Sequence, residues 1–279
     1  MIIWLASYPK SGNTLMRSIL SSYFYSKDGN FEFKNLNQIK QFPMSVDFMS
    51  LGINIENDKE VFQNFINVQK FINEKKRSLS FFKTHSSLVK MYDCDFTNLE
   101  NSLAVIYIVR DPRNVVTSFA NHNGISVDEA TDIIIDQNMF TDKSSNVCKV
   151  SVGSWASNYN SWKEFKKLDK YLLVKYEDLV FNTEKTFLKI LNFIFKLGGY
   201  QAQIDDKKLK NSIKSTTFTK MQKLEKEEGF NEEMKNIDNQ KVTFLKYGPK
   251  ENDPNKLPKF LKDKIEKEFK TELEELNYL

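Results

Sequence analysis

The apolar run at residues 103–109 constrains the fold of this chain more than any other segment, because seven successive residues offer no charged face. Such a strand must be covered on both sides, as the central strands of parallel sheets are. Shorter runs of the same kind occur at 2–7, just before Pro9, and at 171–175. Strands that alternate with helices predict an α/β fold with a central, mostly parallel sheet flanked by helices. Ligands of such sheets bind at the carboxyl ends of the strands.

Apolar periodicity divides the rest of the chain into further elements. Asp111 followed by Pro112 predicts a helix start, since Asp is a favoured N-cap residue and Pro is tolerated at the first helical position. The other predictions are helices at 15–24, 61–68, 128–137, 154–167, 183–196 and 258–276, a short strand at 80–84, and a polar helical tail from 201 that is broken around 246–258. No repeat or linker divides the sequence, so we predict a single domain over residues 1–279.

Charge balance and cysteine content limit the classes of protein that fit this sequence. Lys and Arg number 41 against 37 Asp and Glu, and the net charge of +4 is small for a dedicated nucleic-acid-binding protein. No run approaches the ~20 apolar residues of a membrane helix, and the N-terminus lacks the pattern of a signal peptide. Two isolated cysteines, Cys94 and Cys148, and two histidines suggest no zinc site. We therefore expect a cytoplasmic protein without metal, nucleic-acid or membrane partners.

A polar loop, Tyr-Pro-Lys-Ser-Gly-Asn-Thr at residues 8–14, joins the first predicted strand to the first predicted helix. A helix N-terminus presents unpaired N–H groups and a partial positive charge, so it attracts anions. The loop adds a full positive charge on Lys10 and allows close backbone approach at Gly12. Neutral donors are expected from Ser11, Asn13 and Thr14. We therefore predict an anion-binding loop.

The position of the lysine distinguishes this loop from that of nucleoside-triphosphate-binding proteins. Their P-loop places lysine after the last glycine, whereas Lys10 precedes Gly12. The loop instead resembles the 5′-phosphosulfate loop of sulfotransferases that use 3′-phosphoadenosine 5′-phosphosulfate (PAPS), which carry a Y-P-K-S-G-T-T-W-like stretch after the first strand. Asn13 stands at a threonine position, and Leu15 stands where many members place a tryptophan that stacks on the adenine. The resemblance implies a P-loop-NTPase-like sulfotransferase fold.

A second segment, residues 106–119, resembles the 3′-phosphate site of the same family. Arg110 follows the strongest predicted strand, and its planar guanidinium matches a phosphate in geometry and charge. Ser118 lies eight residues further on, about two helical turns along, and can supply a second donor. The resemblance implies that Arg110 and Ser118 hold the 3′-phosphate.

His85 comes directly after the short predicted strand, where an α/β sheet places its site. Imidazole, with a reference pKa of about 6.5, can take the proton of an acceptor hydroxyl near neutrality. The preceding Lys83 and Thr84 complete a K-T-H segment that resembles the family's. This resemblance implies that His85 is the catalytic base and that Lys83 assists electrostatically. We interpret His122, at the end of a predicted helix, as structural.

Three further elements resemble parts of the family's nucleotide site. Tyr176 opens a Tyr-Glu-Asp-Leu element after a strand and is implied to lie near the adenine. The element at 215–221 resembles T-S-F-x-x-M, which lines the base, and the loop at 244–248 resembles in part F-x-R-K-G, which closes over the 3′-phosphate. The residues implied to bind the nucleotide here are Thr216, Phe218, Met221, Lys246, Tyr247 and Gly248. A Gly-Ser-Trp element at 153–155 is interpreted as a packing feature.

Together these resemblances imply an enzyme that transfers a sulfuryl group from PAPS to a hydroxyl or amine of a small acceptor, without a metal ion. The product is adenosine 3′,5′-bisphosphate (PAP), and Lys10 is implied to stabilise the charge on the leaving phosphate. Segments 27–80 and 123–152, rich in Phe, Met and Ile, are expected to shape the acceptor site. Two alternatives stay open, a P-loop-type small-molecule or nucleotide kinase and an inactive nucleotide-binding homologue. Monomer and homodimer also stay open.

Overall fold

A computed structural model describes residues 1–76, 78–141, 143–144, 146–199, 203–229, 234–235, 241–243, 245–246, 248 and 253–279. The strands are β1 (Ile2–Ser7), β2 (Ser80–Thr84), β3 (Lys90–Met91), β4 (Cys94–Asp95), β5 (Ser102–Val109), β6 (Tyr171–Lys175), β7 (Met234–Lys235) and β8 (Lys241–Val242). The α-helices are α1 (Asn13–Tyr25), α2 (Ser45–Met49), α3 (Asp58–Gln63), α4 (Phe65–Lys76), α5 (Pro112–Asn123), α6 (Val127–Ile135), α7 (Trp155–Ser161), α8 (Tyr176–Phe181), α9 (Thr183–Leu197), α10 (Asp206–Ser215), α11 (Phe218–Glu228), α12 (Lys259–Glu268) and α13 (Lys270–Glu275). Short 3-10 helices lie at Phe33–Gln38, Trp162–Leu168 and Pro254–Lys256.

A central sheet is formed by four strands in the order β2-β1-β5-β6, and every neighbouring pair is parallel. Ala6 in β1 pairs with Thr84 in β2 and with Tyr107 in β5, and Val109 pairs with Lys175 in β6. The carboxyl ends of the four strands therefore meet at one edge of the sheet. This topology confirms the predicted α/β class with a parallel sheet.

Both faces of the central sheet are buried. In β1, Ile2, Trp4 and Ala6 pack into one core, whereas Ile3 and Leu5 pack into the other. The first core is completed by side chains of α2 to α7, α12 and α13, and the second by those of α1, α8, α9 and α10. Because neither face of the sheet meets solvent, the strands read as continuous apolar runs rather than as alternating patterns.

The predicted limits of the central strands and the predicted start of one helix agree closely with the structure. The strands at 2–7, 80–84 and 171–175 have the predicted limits, and the central strand begins one residue earlier, at Ser102. The start of α5 is also as predicted, with Pro112 in its first turn. Asp111 caps this helix, because its side chain accepts a hydrogen bond from the backbone N–H of Arg113.

Four predicted helices are each shorter or divided in the structure. The helix around 61–68 is two helices, α3 and α4, separated at Asn64, whose side-chain amide donates to the Glu60 carbonyl at 2.8 Å. Local bonding of this kind competes with helical continuation. The helix at 154–167 changes to a 3-10 helix at Trp162, and the helix at 258–276 is divided at Phe269, whose ring is buried. Helix α6 ends at Ile135, two residues before the predicted limit.

Two predictions from composition concern isolated cysteines and the lack of a membrane-spanning helix. Cys94 is partly buried and Cys148 is buried, and both are free thiols. Among the described residues, no helix combines the length and the apolar character needed to cross a bilayer.

Candidate active site

Each of the four strands of the central sheet is followed by a residue or loop of the candidate site. Strand β1 ends at Ser7, before the loop that contains Lys10, and β2 ends one residue before His85. Strand β5 is followed by Arg110 and β6 by Tyr176. Because the strands are parallel, these residues lie along the same edge of the sheet, as expected for the ligand site of an α/β fold.

The anion-binding loop has an unusual backbone. Lys10 has a φ of 65°, and Gly12, which caps the N-terminus of α1, has a φ of 96°. A Cβ atom at Gly12 would lie 2.3 Å from Cδ2 of Tyr176, so any side chain at this position would collide with that ring. Glycine is therefore required both by the left-handed backbone and by the close approach of Tyr176.

The loop leaves two buried polar atoms unsatisfied within the described part of the chain, the hydroxyl of Ser11 and the Oδ1 atom of Asn13. Ser11 is only 1% exposed. Buried polar atoms nearly always have a partner, and an exception needs an explanation such as an absent ligand. A hydroxyl next to a helix N-terminus fits an anionic ligand, so the loop suits a phosphate or sulfate group.

The side-chain amide of Asn13 faces the sheet. Its Nδ2 atom donates to the Leu5 carbonyl at 2.8 Å and to the Ser7 hydroxyl at 3.1 Å. Both of its donor positions are therefore used within the protein. Contrary to the expectation that this side chain is a donor for the anion, the only donor that Asn13 can offer a ligand is its backbone N–H, which lies beside those of Thr14 and Leu15 in the first turn of α1.

Replacing Ser11 by alanine tests whether the unsatisfied hydroxyl serves a ligand. Because the Ser11 hydroxyl has no partner within the described chain, its loss should leave the free energy of unfolding of the unliganded protein unchanged or slightly raised. The affinity for PAP should fall about tenfold, the worth of one hydrogen bond to a charged group. Chemical denaturation and calorimetric titration measure the two effects. Equal PAP affinity in both proteins would contradict a ligand role for Ser11.

His85 is oriented by the end of strand β1. Its Nδ1 atom lies 2.8 Å from the Ser7 carbonyl oxygen and 3.3 Å from the Ser7 hydroxyl. Because a carbonyl oxygen only accepts, this contact requires the hydrogen on Nδ1, which leaves Nε2 of the neutral ring as a proton acceptor. The Ser7 hydroxyl itself accepts from Asn13, so the histidine and the anion-binding loop are connected.

The backbone of His85 is held by Asn158, a residue that was not predicted to belong to the site. The Asn158 amide donates to the carbonyl oxygens of His85 at 3.0 Å and Val152 at 2.9 Å. Its own oxygen accepts from the hydroxyl of Tyr107 at 2.8 Å, and Asn158 is fully buried. Asn158 thus fixes the segment that carries the candidate base.

Lys83 is 8% exposed, and its backbone is paired on both sides. Its N–H donates to the Lys40 carbonyl, and its carbonyl accepts from Phe42, each at 2.9 Å. Residues 40–42 therefore continue the edge of the sheet beside β2. This pairing places Lys40 next to Lys83 at the wall of the cavity that both line.

Arg110 connects the anion-binding loop to Tyr176. Its Nη1 atom donates to the Lys10 carbonyl at 3.0 Å, and its guanidinium carbon lies 4.5 Å from the centre of the Tyr176 ring. This stacking orients the guanidinium plane. Burial raises the pKa of the Tyr176 hydroxyl, with the charge of Arg110 opposing the shift, so the phenol stays neutral.

A single cavity of about 1020 Å³ brings most of the selected residues together. Its wall includes the predicted residues Lys10, Gly12, Asn13, Thr14, Leu15, Lys83, His85, Arg110, Ser118, Tyr176, Thr216, Phe218 and Met221. Ser11 is buried in the loop that forms part of this wall. Lys246 and Gly248 do not line the cavity, whereas their neighbour Leu245 does, and Tyr247 lies outside the described residues.

The adenine end of the predicted nucleotide site is apolar. Met221, 2% exposed, packs in a small cluster with Phe31 and Leu36, and Leu15 and Leu245 contact the same cluster. Thr216 donates its hydroxyl back to the Ser212 carbonyl at 2.6 Å, so it contributes its methyl group rather than a free donor to this end. Leu15 can therefore take part in a hydrophobic surface where the family places a tryptophan.

The cavity wall also includes residues from both segments that were expected to shape the acceptor site. They are Leu36, Asn37, Lys40, Gln41 and Met44 from 27–80, and Asn123, Met139, Phe140, Thr141, Ser144, Asn146 and Val147 from 123–152. Met139 also contacts the anion-binding loop, since its sulfur accepts a hydrogen bond from the Tyr8 hydroxyl at 3.0 Å.

His122 also lines the cavity, although the sequence was interpreted as placing it in a structural role. It lies four residues after Ser118 on α5, and residues at this spacing share a helix face. The helical spacing from Ser118 was therefore a signal that could have placed His122 at the site.

The charge of the cavity wall has one sign. The cationic side chains that line it are Lys10, Arg17, Lys40, Lys83 and Arg110. Of the described residues that line the cavity, none is Asp or Glu. Cations that converge on a cavity without carboxylates favour an anionic ligand.

Comparison with known proteins agrees with this geometry. A family model described as the sulfotransferase domain matches residues 2–277. Among curated proteins, sulfotransferase 1E1 of Bos taurus is 26% identical over 221 residues, which cover 78% of this chain and 64% of the relative. Sulfotransferase 2A6 of Mus musculus is 29% identical over 99 residues, or 34% of this chain and 32% of the relative. The matches thus span less than two thirds of the length of these relatives.

Solved structures with the same fold include two that are complexed with PAP. Mouse sulfotransferase SULT7A1 complexed with PAP gives a TM-score of 0.52 at 16% identity, covering 96% of this chain and 84% of that one. Retinol dehydratase in complex with androsterone and PAP gives a TM-score of 0.60 at 12% identity, covering 98% and 80%. These similarities establish the fold. With the family match over residues 2–277, they show that this chain belongs to the sulfotransferase domain family.

Proposed function

We propose that the protein transfers a sulfuryl group from PAPS to a hydroxyl of a small acceptor. The observation that carries the proposal is the convergence of Lys10, His85, Arg110 and Tyr176 on one cavity from the ends of four parallel strands. Family membership supports the reaction class. The relatives are curated sulfotransferases, and two solved neighbours contain PAP.

The residues present fit a nucleotide with an anionic group at each end. The loop of Lys10 and Ser11, with the first N–H groups of α1, would hold the phosphosulfate. Arg110 and Ser118 would hold the 3′-phosphate, and the apolar surface around Leu15 would hold the adenine. Phe218, Met221 and Tyr176 would border the same base.

When bound, PAPS supplies the sulfuryl group and, as its leaving group, the 5′-phosphate of PAP. His85 would take the proton of the acceptor hydroxyl on Nε2, because Nδ1 is engaged with Ser7. Lys10 would face the phosphate oxygen on which negative charge develops, and Lys83 would stabilise the group in transfer. The acceptor oxygen gains the bond to sulfur that the phosphate oxygen loses, and the released proton stays on the imidazole.

The cavity wall favours a hydroxyl acceptor over an amine. An alkylamine is an ammonium ion near neutrality, and the described wall offers it five cations and no carboxylate.

Two alternative functions make different predictions. A kinase would require ATP and Mg²⁺. An inactive homologue would bind PAP without turnover. The absence of a metal requirement and a cytoplasmic location remain predictions.

A matched series of acceptors tests this proposal. Tyrosol, 4-hydroxyphenylacetate and tyramine share a phenol and differ in the charge of the far end. We expect release of PAP from PAPS only when an acceptor is present, with kcat/KM at least about tenfold lower for tyramine, because like charges repel in a confined site. A preference for tyramine, with the sulfuryl group found on its nitrogen, would contradict the acceptor class. If the protein binds PAP but releases no PAP from PAPS with any of the three acceptors, the result would favour the inactive homologue.

A further inference from the structure

The peptide unit between Arg110 and Asp111 is held from both sides. Its carbonyl accepts a hydrogen bond from Nε1 of Trp155 at 3.1 Å. Its N–H donates to Oε1 of Glu177 at 3.2 Å. A peptide unit held at both its C=O and its N–H cannot rotate without losing a bond. The direction in which the Arg110 side chain leaves the backbone is therefore fixed by Trp155 and Glu177.

Both of these holding residues are contacted by the C-terminal segment, defined here as residues 269–278. The Phe269 ring lies 5.2 Å from the Trp155 ring, and both residues are 1% exposed. The Tyr278 hydroxyl donates to Oε2 of Glu177 at 2.7 Å. Each oxygen of the Glu177 carboxylate thus accepts from a different element, one from the backbone of Asp111 and one from the C-terminal segment.

Arg113 ties the C-terminal segment to the same place by a second route. It binds Asp111 in a two-point contact, with Nε–Oδ1 at 2.9 Å and Nη2–Oδ2 at 2.7 Å. Its Nη2 also donates to the Tyr278 carbonyl at 2.8 Å, and its Nη1 to Glu266 in α12 at 2.5 Å. The charge of Asp111, the residue after Arg110, is in this way balanced by Arg113.

The end of strand β6 is fixed by the same segment. Lys175 donates to the Leu276 carbonyl at 2.6 Å, and its ammonium lies 4.1 Å from the centre of the Tyr278 ring. Burial, and then the charge of Glu177, raise the pKa of Tyr278, so its hydroxyl stays protonated and remains a donor. The bond to Glu177 is therefore kept across the physiological pH range.

We propose that the C-terminal segment positions Arg110 for the 3′-phosphate of the nucleotide, with Tyr278 and Glu177 as positioning residues. This inference rests on the proposed function, since it assigns the 3′-phosphate to Arg110. Loss of the Tyr278 hydroxyl leaves one oxygen of Glu177 without its donor. The carboxylate then shifts, and the N–H of the Arg110–Asp111 peptide unit loses its fixed partner.

The test compares two ligands that differ by the 3′-phosphate alone, PAP and adenosine 5′-monophosphate, in calorimetric titrations of the full chain. Tyr278→Phe should weaken PAP about tenfold and leave the affinity for adenosine 5′-monophosphate within about twofold. Glu177→Gln, which removes one of the two acceptors, should show the same selective loss. Glu272→Gln is the matched control. It makes the same loss of charge elsewhere in the C-terminal segment, at a carboxylate that accepts from the Asn160 amide at 2.7 Å, and should change neither affinity.

The outcomes separate this inference from the proposed function. Equal weakening of both ligands by Tyr278→Phe would mean general loosening and would overturn the positioning role. Unchanged PAP affinity in both Tyr278→Phe and Glu177→Gln would overturn it as well. If the unaltered protein itself failed to prefer PAP over adenosine 5′-monophosphate, the assignment of the 3′-phosphate to Arg110 would fail first, and the positioning role with it.

Discussion

Replacing His85 by alanine is expected to lower kcat at least about a thousandfold, the upper part of the range for loss of a general base. The physical reason is the fixed geometry of the ring, whose Nδ1 is bonded to Ser7 while Nε2 is the nitrogen that accepts the proton. Steady-state release of PAP, measured with a saturating hydroxyl acceptor, gives the loss directly.

The same substitution should leave PAP affinity within about threefold, because proton transfer is a contribution to the transition state and not to nucleotide binding. His122→Ala provides the contrast, since it removes the other histidine of the cavity wall. It should retain far more turnover than His85→Ala. Turnover by His85→Ala at a tenth of the normal rate or above, or equal losses in both variants, would show that another group accepts the proton.

Replacing Arg110 by alanine should weaken PAP on the order of a hundredfold, because the 3′-phosphate loses a charge-assisted contact. Calorimetric titration measures the affinity. Adenosine 5′-monophosphate, which lacks the 3′-phosphate, should bind the variant almost as it binds the unaltered protein.

Arg110→Lys is the matched variant for this prediction. It keeps the positive charge but loses the planar two-point geometry, so its PAP affinity should fall between those of Arg110→Ala and the unaltered protein. Full PAP affinity in Arg110→Ala would place the 3′-phosphate elsewhere in the cavity.

The sheet could be predicted from sequence because its strands are buried on both faces. Continuous apolar runs such as 2–7 and 171–175 allow few other structures, and their limits agree with the structure to the residue. The helices were less well predicted, because three that were predicted as continuous are interrupted in the structure. Asn64 divides one helix through a side-chain bond to Glu60, and the 3-10 turn at Trp162 and the break at Phe269 depend on how large rings pack. Periodicity contains neither kind of information.

Some residues of the candidate site could likewise be predicted from sequence, and others could not. His85, Arg110 and Tyr176 were predicted because each belongs to a segment that resembles a family motif. Each also follows a strand directly, and parallel strands bring their ends together whatever the chain between them does. Asn158 and Tyr278 were not found, because they reach the site from helical or terminal segments through contacts that span 73 and 101 positions. Such pairs become visible only when the chain is folded.

A titration of the unaltered protein with PAP, compared with ATP and Mg²⁺, tests whether the strand ends form a site for a nucleotide with anionic groups at its 5′ and 3′ positions. We expect saturable binding of PAP at micromolar concentration, at least about tenfold tighter than ATP with Mg²⁺, since only PAP carries the 3′-phosphate. Failure of millimolar PAP to bind, or tighter binding of ATP with Mg²⁺, would contradict it.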